Sequence, residues 1–198
     1  YELIWVRQLA LLFGGTLYAI SSVLCAFMAG LALGSWIIGK FIYFQNTKKK
    51  PVNSILLYGL IEGVIGVYAF LFPYGLELIA IWYSPLVSGS LEVGSQLHWI
   101  EFALSAALML PATICMGATL PLISSWSIGK DNDRIFPDVS ILYSLNTFGA
   151  VAGCLFTQTI AIKYFGVNGT NLTAIGMNIL VFFLCVNFQK NNTKNLVA

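Results

Sequence analysis

Residues 16–38 read TLYAISSVLCAFMAGLALGSWII, 23 positions without a charged side chain. About 20 apolar residues in a helix are enough to cross the hydrocarbon layer of a bilayer. The stretch lies between Gly14-Gly15 and Lys40, so it has both the length and the flanks of a transmembrane helix. The rest of the chain repeats this composition. Of its 198 residues, 58% are hydrophobic and only 9% charged. A water-soluble domain is nearer one quarter charged. So few charges could not cover a soluble globule, and the same apolar content excludes disorder. A net charge of +2, with its basic residues scattered, gives no footprint for nucleic acid.

Working outward, the expected fold is an all-α, polytopic transmembrane bundle of about six spans plus one short interfacial helix. Residues 1–13 read as the second half of a span whose beginning is missing, broken by Gly14 and Gly15. Residues 16–38 are the second span. A third covers residues 52–72 and is expected to stop at Pro73. Residues 74–96 are apolar over Leu76–Tyr83 but too short to cross, and Pro85, Gly89, Glu92 and Gly94 interrupt them, so they read as an interfacial helix and loop. The fourth span, residues 97–128, contains Pro111 and Pro121 and is expected to kink. Residues 139–162 and 171–188 are the fifth and sixth. Residues 1–188 thus form the membrane domain and 189–198 a polar, frayed cytoplasmic tail.

Lysine and arginine mark the cytoplasmic side of a membrane protein. The loop at 40–50 holds Lys40, Lys48, Lys49 and Lys50, the loop at 129–138 holds Lys130 and Arg134, and the tail holds Lys190 and Lys194. The loop at 73–96 holds neither residue type, and that at 163–170 only Lys163. These loops alternate sides, which places the C-terminus in the cytoplasm.

Small residues recur at helical spacing: Ala26, Gly30 and Gly34, with Ser35 and Gly39 one position round, then Gly59, Gly63 and Gly66, then Gly149 and Gly153. Such stripes let helix backbones approach closely. They read as packing surfaces, with a sliding transporter surface as the alternative. Charges inside spans are costly and usually face the protein interior in pairs. Glu2 and Glu62 fall near mid-membrane by residue count, and Arg7 and Glu101, the latter placed in the first turn of its span, fall nearer the outer face. Glu2 and Arg7 are poorly placed to pair on one helix, so Arg7 is expected to reach a carboxylate elsewhere. The alternative is a substrate or proton site, and two acids at one depth would suit a cation. Asn146, Gln158 and Asn178 are candidates for hydrogen bonds between helices. His98, beside Trp99, reads as a headgroup-level residue, with a proton relay as the alternative. Cys25, Cys115, Cys154 and Cys185 are widely separated in apolar runs and read as small hydrophobes. With no metal-ligand spacing, phosphate loop or nucleophile–base set, neither a metal, a cofactor nor a soluble active site is expected.

Four segments together resemble a known family. Tyr1-Glu2-Leu3-Ile4-Trp5-Val6-Arg7, Phe27–Ser35, Pro111–Pro121 (PATICMGATLP) and Leu142–Ala150 (LYSLNTFGA) are similar, in order and spacing, to motifs of the membrane-embedded spermidine synthase-like proteins. In these a major-facilitator-like membrane region is fused to a polyamine aminopropyltransferase domain. The resemblance implies a helical membrane domain in a bacterial inner membrane. In many members a cytosolic Rossmann-like domain follows, which binds decarboxylated S-adenosylmethionine and transfers an aminopropyl group to putrescine. That domain's Gly-rich loop and acidic site do not occur before Ala198, so no catalytic residue carries over. The segment Gly30–Lys40 also resembles the loop motif of major-facilitator transporters, with Gly34 where those carry Asp. The expected function is a membrane module for anchoring or assembly that handles a small cationic (polyamine) substrate. The alternatives are an accessory subunit of a larger membrane complex and a small-solute transporter. The expected partners are the lipid bilayer and other membrane subunits or a second copy.

Overall fold

A computed structural model describes residues 1–48, 52–88, 94–127 and 135–195, and every described element is helical. In chain order these are α1 (Glu2–Leu12), α2 (Leu17–Thr47), α3 (Ser54–Ser88), α4 (Gly94–Ser127), α5 (Ile135–Phe156), one π-helical turn (Thr157–Ala161) and α6 (Ile162–Asn195). Four helical stretches are long and apolar enough to cross a membrane: Leu17–Thr47, Ser54–Pro85, His98–Ser127 and Val139–Asn191. The outer surface agrees with a lipid solvent, because Leu17, Trp36, Val67, Ile81, Phe148 and Leu180 are all exposed.

The first boundary follows the sequence. Gly14 and Gly15 adopt φ of 89° and 70°, values open to glycine, and turn the chain out of α1. Thr16 then caps α2, its hydroxyl accepting from the Ala19 N–H at 3.1 Å. The apolar core gathers Trp5, Leu9 and Phe13 of α1 against Val23 and Phe27 of α2, Ala69 and Phe72 of α3 and Met109 of α4. Trp5 is fully buried and stacks on Phe72 at 4.3 Å.

The expected stop at Pro73 does not occur. Helix α3 runs through Pro73 and Pro85 to Ser88, so the separate interfacial helix is instead the continuation of α3. Proline lacks an N–H and frees the carbonyl four residues before it, which in lipid has no water to turn to. Pro73 frees Ala69, and the Asn171 side-chain amide of α6 donates to that oxygen at 2.9 Å. Pro121 frees Gly117, and the Ser35 hydroxyl of α2 donates to it at 2.8 Å. Near Pro111, the Tyr68 hydroxyl donates to the Leu108 carbonyl at 2.6 Å. Asn171 and Ser35 each lie on a helix other than the one they repair, so each repair also ties two helices together, whereas the Tyr68 bond joins α3 to α4 without serving the Ala107 carbonyl that Pro111 frees.

The two spans expected over 139–162 and 171–188 are one helical stretch, with no loop at 163–170. The 53-residue stretch Val139–Asn191 passes through the π turn and breaks at Gly166, which has φ 66° and ψ −177°. The stretch after the sixth span is helical as far as Asn195 rather than frayed from 189. Residues 49–51, 89–93, 128–134 and 196–198, on which parts of the expected loops and tail fall, lie outside the described residues.

Candidate functional site

The closest helix contact is a seam between α2 and α4. Ala26, Gly30 and Gly34 are buried on α2. A Cβ at Gly30 would strike the Thr113 side chain, one at Gly34 the Ile114 carbonyl, and one at Gly117 the Leu31 carbonyl. Glycine on both helices therefore sets the spacing. The segments Phe27–Ser35 and Pro111–Pro121, distant in the chain, thus meet face to face, and the Ser35–Gly117 hydrogen bond closes the seam. The second stripe serves a different pair. At Gly59 a Cβ would stand 2.6 Å from that of Cys185, at Gly63 it would stand 3.3 Å from the Phe182 ring, and at Gly66 3.4 Å from Asn178. That surface joins α3 to α6. Gly39, Gly149 and Gly153 have nothing within 4 Å of such a Cβ.

The acidic residues separate into distinct surroundings. Glu62 is half-buried on α3, one turn after Tyr58, whose phenol lies within electrostatic reach of its carboxylate. The Tyr1 phenol also lies within electrostatic reach of Glu62. Its hydroxyl oxygen is buried without a hydrogen-bond partner. Asn178 of α6 donates to the Glu62 backbone carbonyl at 3.3 Å, an interhelical bond of the kind its position suggested. Glu2 of α1 lines a cavity of about 510 Å³ together with Tyr1, Gly153, Thr157, Thr170, Thr173 and Met177. Polar lining is confined to Tyr1, Glu2 and the threonines, so the cavity is largely apolar with one carboxylate in its wall.

Glu101 is 2% exposed and sits two turns into α4 rather than in its first turn. The Tyr83 hydroxyl of α3 donates to its carboxylate at 2.8 Å, and His98 Nδ1 lies 3.5 Å from the other oxygen. The His98 ring stacks on Tyr18 of α2 at 4.4 Å, and Phe13 meets Tyr83 edge-on at 4.9 Å. A buried carboxylate with these partners ties α2, α3 and α4 at one end of the bundle. His98 is therefore part of a side-chain network and not only a headgroup-level residue.

Arg7 stands apart from all three carboxylates. It is exposed, and among the described residues no acid lies within ion-pairing distance of it. Asn146 is exposed on α5. The four cysteines are free thiols, with only Cys185 fully buried. Among the described residues no group of His, Cys, Asp and Glu is arranged to hold a metal. The residues that sequence reasoning missed are Tyr58, Tyr68, Tyr83 and Asn171. For Asn171 a signal existed: a proline inside a span asks which side chain serves the carbonyl four residues earlier.

Among the described residues the fold is all-helical, with four stretches long and apolar enough to cross a membrane. No family model, curated protein or solved structure matches the chain.

Proposed function

We propose that this chain is an integral membrane module of the spermidine synthase-like kind, serving anchoring and assembly in a larger membrane complex rather than chemistry of its own. The observation that carries this reading is helix α5. From Val139 to Phe156 its side chains are exposed almost throughout, including Asn146, Thr147, Gly149 and Gly153, whereas α2, α3 and α4 each bury a packed face. Asn146 and the two glycines share a helix that has no close neighbour at those positions. An amide facing lipid is unfavourable, and a partner helix bearing a polar group would satisfy it. On this reading Val139–Asn191 crosses the membrane twice, about six spans result, and the basic loops hold the C-terminus in the cytoplasm.

The test is association in mild detergent, read by native mass spectrometry. The chain is expected to run with a second copy or another membrane subunit at fixed stoichiometry. Asn146→Leu is expected to weaken that association about tenfold and to leave the melting temperature of the isolated chain unchanged. A monomer at every concentration, or an Asn146→Leu variant that associates as the parent does, contradicts the proposal.

A second reading, handling of a small organic cation, is favoured by one specific arrangement. Glu62 lies within electrostatic reach of Tyr58 and of Tyr1, and Tyr1 lines the same cavity as Glu2. A half-buried carboxylate near mid-membrane suits an ammonium group. Titration calorimetry with spermidine is expected to show binding that Glu62→Gln weakens at least about tenfold. Unchanged binding removes this reading and leaves the assembly role standing.

A further inference from the structure

Arg7 needs a counter-charge that the described residues do not supply. It lies on one stripe of α1 with Leu3 and Leu11, which are 36% and 68% exposed. A guanidinium surrounded by leucines and facing hydrocarbon is strongly unfavourable, and such a group is stabilised by a carboxylate or by reaching a headgroup phosphate. The structure provides the setting for the second. Beside Arg7 a groove of about 350 Å³ runs between α1, the start of α2 and the π turn. That volume is within the range of small-molecule sites, about 300–1,000 Å³. Val6, Leu11, Ile20 and Ile162 make its walls apolar. Its other polar side chain is Gln158, carried on the π turn and without a hydrogen-bond partner among the described residues. π turns in helices recur at binding sites, because the extra residue redirects a side chain.

We propose that this groove binds one anionic phospholipid. Arg7 pairs with the phosphate through its planar fork, the Gln158 amide donates to the same group, and an acyl chain lies along the apolar walls. The reach is adequate: Gly15, in the turn that follows α1, lines the same groove as Arg7, and the two are separated by about 12 Å of helix rise, a span that a long, flexible arginine side chain helps to bridge. Charge complementarity selects a lipid with a net negative headgroup over a zwitterionic one.

The experiment uses the purified full chain in detergent, titrated with phosphatidylglycerol, phosphatidylcholine or inorganic phosphate and read by native mass spectrometry. One phosphatidylglycerol is expected to bind at least about tenfold more tightly than phosphatidylcholine. Arg7→Gln is expected to erase that preference and Arg7→Lys to retain part of it. Ile20→Trp, which fills the groove and leaves the charge in place, is expected to lose phosphatidylglycerol as well, so the proposal stays testable if the Arg7 variants fold poorly. Phosphatidylglycerol binding unchanged in Arg7→Gln or in Ile20→Trp overturns the proposal. Displacement of the lipid by an equal concentration of inorganic phosphate overturns it too, because the site would then read a free anion.

Discussion

Replacing Gly34 with leucine is expected to leave little folded protein. The new side chain would be driven into the Ile114 backbone, which has no rotamer to move aside. Overpacking against side chains typically costs about 1–3 kcal/mol, and a collision with backbone at the tightest seam should exceed about 3 kcal/mol. Separation of α2 from α4 would also strand the Gly117 carbonyl, which Ser35 now serves. Gly39→Leu is the control, because a Cβ there meets nothing within 4 Å. Folded yield and melting in mild detergent provide the readout. Equal behaviour of the two variants would mean that the seam does not hold the bundle together.

Asn171→Leu should be the next most damaging change. It removes the donor to the Ala69 carbonyl, in a region where neither water nor a proline N–H can replace it. An unsatisfied buried carbonyl costs about 1–3 kcal/mol. The cause can be isolated with a second substitution. Pro73→Ala restores an N–H able to bond Ala69 within α3, so in that background Asn171→Leu should cost well under half as much. A double-mutant cycle of melting free energies measures the difference. Equal cost in both backgrounds would show that Asn171 matters for packing alone.

These two sites show which parts of the molecule could be read from the chain. The α2 seam was legible because Ala26, Gly30 and Gly34 repeat every four residues, the local period of a helix. Its partner was visible as the segment Pro111–Pro121, but no sequence rule says that two segments face each other. Pro73 misled for a related reason. The rule that proline ends a helix is local, whereas the donor that lets α3 continue lies 102 residues away. The charged residues were legible as unusual and not as paired. Glu101 found Tyr83 and His98, Glu62 found tyrosines, and Arg7 found no acid, because partner choice depends on which helix faces lie at the same depth. The stripe containing Gly149 and Gly153 announces a packing face, yet spacing cannot tell whether the partner helix belongs to the same chain.

Lipid as the solvent of this bundle underlies every expectation above. Alkaline carbonate extraction of membranes from cells making the full chain tests that directly. The protein should remain in the membrane pellet and enter solution only with detergent. Release into the aqueous supernatant without detergent would contradict it.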